Sequence, residues 1–140
     1  MNLNYLSILI QTVLLVVLGA VWFGPIFGKM WSKIMGFELL SIEEQKQLEK
    51  EITPYYAVQA IATIFYCTGL NIIFNLTHGT ANHFIIGLMI WGLIVLPTLA
   101  TDIIWGNTKK EYWTMQFLLV AVYQLISIML VALLSKLIMM

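Results

Sequence analysis

Apolar residues along the chain gather into four long runs separated by short polar stretches. The runs fall at about 6–23, 55–76, 84–105 and 113–134, each near the roughly 20 residues a helix needs to cross a bilayer. Continuous runs of this length satisfy their own backbone hydrogen bonds in lipid, which predicts four transmembrane helices and not a barrel. The first run has no lysine or arginine before Lys29, and "FGPIFGK" is a poor cleavage site, so it reads as a mature helix and not as a signal peptide.

The stretches between the runs have patterns of their own. Pro25 is expected to end or kink the first helix, and Gly24 before it bears the strained backbone cheaply. Beyond it, Phe27, Met30, Trp31, Ile34 and Met35 fall on one helical face, with Lys29, Ser32, Lys33 and Gly36 on the other. That pattern predicts a short amphipathic helix lying in the membrane interface, with its rings in the lipid and its ammonium groups in water. In "SIEEQKQLEKEITP" the Ser41–Glu44 spacing is a capping box, and Pro54 marks the expected end of a solvated helix of about three turns. Residues 24–54 thus form one loop, "THGTANH" a tight second connection, and "GNTKKEYW" a third. The whole chain reads as a single four-helix transmembrane bundle.

Composition narrows the function classes. The chain is 61% hydrophobic and 10% charged, against about 25% charged in soluble domains. It contains no arginine and has no net charge, which argues against a nucleic-acid partner. The one cysteine, Cys67, lies within an apolar run and reads as a small buried hydrophobe. Lys29, Lys33, Lys46, Lys50, Lys109 and Lys110 all fall in the first and third connections, and only Lys136 falls on the other side. The lysine bias predicts loops 24–54 and 106–112 in the cytoplasm and both termini outside. "WFGPIFGKMW" and "WGNTKKEYW" echo one another, which the general demand for Trp and Lys at interfaces explains.

Gly19, Trp22, Phe23, Pro25, Phe27, Gly28, Lys29 and Trp31 spell Gly-x-x-Trp-aromatic-x-Pro-x-aromatic-Gly-Lys-x-Trp. This resembles the signature of a group of small bacterial membrane proteins, the domain of unknown function 1761 family. The resemblance implies four spans, an acidic or amide residue near the cytoplasmic end of the third (here Asp102), and a tyrosine in the fourth (here Tyr123). It also implies a bacterial cytoplasmic membrane and brings no activity with it.

Asp102 is the sole acidic residue within a predicted span, and a carboxylate there is a functional candidate. Three roles stay open: pairing with Lys29, so that the surface helix is clamped to the third span; a proton or ion site; or snorkelling to the interface. Gln59, Thr63, Tyr66, Cys67, Asn71 and Asn75 form a polar band on the second span, continued by Gln116, Tyr123, Gln124 and Ser127 on the fourth and by Ser7 and Gln11 on the first. These are expected to face inward, either as interhelical glue or as the lining of a polar cavity. The candidate solute or proton site is therefore Asp102, Thr98, Gln59, Asn71, Asn75, Tyr123 and Gln124, and the interfacial anchor is Gly19, Trp22, Gly24, Pro25, Gly28, Lys29 and Trp31.

His78 and His83 read as exposed loop residues, too few for a structural metal. Pro97 is expected to kink the third span. No catalytic constellation, phosphate loop or dinucleotide motif can be assembled, so no enzyme and no cofactor is expected. Three classes follow in order: a non-enzymatic membrane binding or accessory protein, a small oligomeric permease, and an enzyme acting on lipid or quinone. Lipid contact and a homo-oligomer are expected, the latter through Gly24, Gly28, Gly87 and Gly92.

Overall fold

A computed structural model describes residues 4–78 and 80–139, with side chains as far as Leu137. Among the described residues it is all-helical: α1 (Tyr5–Val21), α2 (Gly28–Met35), α3 (Ile42–Leu76), α4 (His83–Ile90), α5 (Leu96–Trp105) and α6 (Trp113–Met139). Four stretches are long and apolar enough to cross a membrane: Tyr5–Ile26, Ile42–Leu76, His83–Trp105 and Lys110–Leu137. Span one is α1 with a π-helical turn at Trp22–Ile26, and span three is α4 and α5 joined by a second π-helical turn at Trp91–Val95.

Helix α6 is the centre of the bundle and packs on α1, α3, α4 and α5. The other strong helix pair is α1 with α3, so spans one, two and four form a triangle, and span three lies against span four outside it. The tight core sits in one half of this triangle. Ile8 and Leu15 of α1, Cys67, Leu70 and Phe74 of α3, and Ile128, Val131 and Ala132 of α6 close around one another. Cys67 is fully buried, as its setting in the sequence implies. Lipid tails offer no hydrophobic drive between helices, so close packing and polar contacts hold such a core together.

Gly87 lets span three pack closely on span four. A methyl group built there would lie 2.8 Å from Ile128 Cγ2 and 2.9 Å from the Met129 methyl. Gly87→Ala is expected to lower stability by about 1–3 kcal/mol, the range for overfilling a packed contact. Denaturant titration of the purified protein checks this, and an unshifted midpoint would mean that α4 does not pack here.

Two expectations about the backbone need correction. Pro54 does not end a helix, because α3 runs unbroken for 35 residues with the proline inside. The carbonyl of Lys50 loses its partner there, but the segment is exposed and water can replace the missing N–H. At about 52 Å, the helix far exceeds the roughly 30 Å hydrocarbon core, and its charged first turns project beyond it. The predicted capping box does open it: Ser41 N–H donates to Glu44 Oε2 at 2.7 Å, and Glu44 N–H to Ser41 Oγ at 3.3 Å.

Gly24-Pro25 does not end the first helix either. Pro25 lies within the π turn, where its missing N–H is absorbed and the ladder resumes with Phe27 N–H donating to Trp22 O at 2.9 Å. The chain leaves the helix at Phe27, two residues later than expected, and α2 follows until Gly36 closes it at φ 75°. In the third span Pro97 removes the N–H that Leu93 O would receive, and Leu93 lies within the π turn at Trp91–Val95, so the regular helix is interrupted where the proline acts.

Candidate functional site

The polar residues that the sequence placed together separate into three groups. The first is a closed lock in the core. Gln11 of α1 donates through Nε2 to Ser7 Oγ at 3.0 Å and to Ser135 Oγ at 3.2 Å. Its Oε1 accepts from Asn71 Nδ2 of α3 at 2.6 Å, and Asn71 Oδ1 accepts from Ser135 of α6 at 2.9 Å. Asn71 Nδ2 also donates to Cys67 O at 2.7 Å. Both amides thus spend both N–H groups and their oxygen, the condition for burying them cheaply. Asn75, half-buried, donates back to Asn71 O at 2.9 Å within its own helix.

The second group is an aromatic anchor built from the Gly19–Trp31 motif. The indole of Trp22 donates to Leu119 O of α6 at 3.3 Å, and its ring packs on Phe27 at 4.6 Å. Phe23 meets Trp31 at 4.8 Å and Tyr123 edge-on at 5.1 Å. Gly19 makes room for that tyrosine, since a methyl there would stand 3.0 Å from the Tyr123 hydroxyl. Gly28 lies close over Phe23 O, 3.3 Å from a built methyl. The result docks α2 on α6, with Ile34 buried and Lys29 and Lys33 outward. Clamping of the surface helix to span three through Asp102 and Lys29 is thus replaced by docking on span four through aromatic rings. Tyr123, placed in the solute site by the sequence, belongs to this anchor.

The third group is a groove. Tyr66 of α3, Ile94 and Val95 of the second π turn, Thr98, Leu99 and Asp102 of α5, and Val120 and Gln124 of α6 line a space of about 320 Å³. It lies between spans two and three, with span four as its floor. Asp102 and Thr98 are exposed along its edge. The Thr98 hydroxyl donates to Ile94 O at 2.7 Å, and the Tyr66 hydroxyl to Gln124 Oε1 at 3.4 Å, which leaves the Gln124 amide NH2 as that side chain's remaining donor. Asp102 is the one charged residue of the lining, and no lysine belongs to it.

Of the seven candidate site residues, the groove unites Asp102, Thr98 and Gln124. Asn71 and Asn75 belong to the lock, Tyr123 to the anchor, and Gln59 is exposed away from all three. The inward placement of Gln59 fails for a geometric reason. It lies 12 residues before Asn71, which on a 3.6-residue helix leaves the two about 120° apart. Sequence patterning misses Ser135 and the apolar walls Ile94, Val95, Leu99 and Val120. Ser135 follows Ser127 by eight residues, about 80° round the helix, which is its one available signal.

Trp91 opens the second π turn as Trp22 opens the first. Its indole donates to Ala121 O at 2.8 Å, two residues along α6 from the carbonyl that Trp22 uses. This pairing, and not the Trp-Lys echo read from the sequence, is the structural likeness between spans one and three.

His83 is buried, which corrects its reading as an exposed loop residue. It stacks on Phe74 at 4.9 Å and lies 5.9 Å from the ring of exposed His78. Asn82 caps the start of α4 through Phe84 N–H at 2.9 Å and so folds the histidine over the core. Among the described residues no three ligating side chains gather as a metal site would need.

A family model described as "Protein of unknown function (DUF1761)" matches residues 6–135. The chain belongs to that family. No curated protein and no solved structure matches it. The Gly19–Trp31 motif that carried the resemblance is the aromatic anchor, a folding element, and the matched residues include the groove as well.

Proposed function

We propose that this member of the DUF1761 family is a non-enzymatic membrane binding or accessory protein whose binding site is the groove between spans two and three. The observation that carries the reading is the convergence of Asp102, Thr98 and Gln124 on one laterally open groove of about 320 Å³. That volume is at the small end of ligand pockets, about 300–1,000 Å³. A continuous polar route across the bundle draws less support, because the inward amides Gln11 and Asn71 are spent on each other and on Ser135.

In this reading the protein sits in a bacterial cytoplasmic membrane with both termini outside, on the strength of the six lysines in loops 24–54 and 106–112. Gly24 and Gly92, where nothing lies within 4 Å of a built methyl, leave helix surfaces open for a second copy.

The test is photo-crosslinking in cells from a benzophenone side chain at Thr98, with and without Val120→Trp to fill the groove. A discrete non-phospholipid adduct that disappears in the filled variant is the expected result. Bilayer phospholipid adducts alone, unchanged by Val120→Trp, would overturn the reading.

A further inference from the structure

Building on that binding role, we infer that the groove takes a single-chain amphiphile with a cationic head and no phosphate, which enters sideways from the bilayer. The lining sets the chemistry. Asp102, at the end of α5 nearest Trp105, provides the one formal charge, and no basic residue of the lining neutralises it. From Asp102 the wall runs along α5 through Leu99 and Val95 to Ile94, faced by Val120 of α6. About eight helical steps separate its ends, which makes a largely apolar track about 12 Å long. On the α6 side of the groove the Gln124 amide, held through its oxygen by Tyr66, can donate a hydrogen bond to a polar atom in the tail.

A carboxylate beside an apolar track selects by charge. An ammonium head gains an ion pair with the exposed carboxylate, whereas an anionic head is repelled. An aminophospholipid fits poorly because its phosphate would lie beside Asp102, and the track along Val95 and Leu99 has room for one chain beside Val120. The lateral opening matters equally. Thr98 and Asp102 are exposed on the flank of span three and not within the triangle of spans one, two and four, so an amphiphile reaches them without crossing the core.

The experiment uses native mass spectrometry of the full chain released from neutral detergent, with decyltrimethylammonium, decanol and decanoate as probes of matched tail. The cation is expected to bind the wild type and to bind Asp102→Asn about threefold more weakly, the loss typical of removing one member of an exposed ion pair. Asp102→Glu should keep most of the binding, and Val120→Trp should abolish it. Because Asp102 is exposed, the Asn variant is expected to fold, which circular dichroism verifies. Equal binding of all three probes, lost in Val120→Trp but indifferent to Asp102→Asn, would overturn the cationic inference and leave the groove as a binding site. Binding of no probe, or displacement of the cation by phosphatidylethanolamine, would also overturn it. The crosslinking from Thr98 judges the groove itself independently.

Discussion

Asn71→Ala should be the most damaging truncation of a polar side chain in this bundle, because one amide ties three helices together. It accepts from Ser135 of α6, donates to Gln11 of α1 and stands on α3. Interhelical hydrogen bonds in membranes average about 0.6 kcal/mol and reach about 1.7. Two of them are lost, and Gln11 Oε1 and Ser135 Oγ are left without these partners in the core, so a total loss of about 2–4 kcal/mol is expected once the orphaned groups and the void are included. Asn75→Ala, which breaks one bond within α3 at a half-buried position, is the matched control and should cost less than about 1 kcal/mol. Unfolding in mixed micelles, followed by circular dichroism, separates the two. Equal midpoints for the two variants would mean that the amides are incidental and that packing alone holds the triangle. Adding Gln11→Ala to Asn71→Ala should cost little more, since members of one network are not additive.

The lock also shows how much a sequence can reveal. Four spans were legible because a run of about 20 apolar residues has few alternatives in a bilayer. The surface helix α2 was legible because lysines and aromatics alternate there with helical period. The capping box of Ser41 and Glu44 was legible because its spacing is fixed by two reciprocal bonds. The destination of each polar side chain was not. Steps of four along α3 drift round the helix, so Asn71 reaches the core while Gln59 ends outside.

The π turns hid still more. Thr98 lies 11 residues after Gly87, and an uninterrupted helix would set both within about 20° of one face, against α6. The turn at Trp91–Val95 inserts the equivalent of one residue and rotates α5 by about 100° relative to α4. This carries Thr98 and Asp102 out to the groove edge. In "WGLIVLP" Pro97 announces a disturbed helix but not its i→i+5 form, and the Trp91 indole that accompanies the turn finds its carbonyl on another helix. Pro54 misled for a related reason, since sequence alone does not say whether the freed Lys50 carbonyl will find water.

Gly19→Val should detach the surface helix while leaving the core intact, which tests the anchor directly. A methyl at Gly19 already stands 3.0 Å from the Tyr123 hydroxyl, and valine adds two further carbons where the ring must pass. The displaced ring loses its edge contact with Phe23, 5.1 Å away, and Phe23 is what Trp31 of α2 packs against at 4.8 Å. Overfilling of this kind costs about 1–3 kcal/mol, and here the loss falls on α2 because the lock of Gln11, Asn71 and Ser135 lies outside the cluster. The local readout is a cysteine at Ile34, buried beneath α2, placed in a Cys67→Ser background. It should resist a soluble thiol reagent in otherwise native protein and react in Gly19→Val. Removing the obstructing oxygen gives the reciprocal check, since Gly19→Ala combined with Tyr123→Phe should regain most of the protection lost in Gly19→Ala alone. Continued protection of the Ile34 cysteine in Gly19→Val would show that α2 is held by something other than the aromatic cluster. The family motif would then need another explanation, and the lysines Lys29 and Lys33 on its outer face would be the first place to look for it.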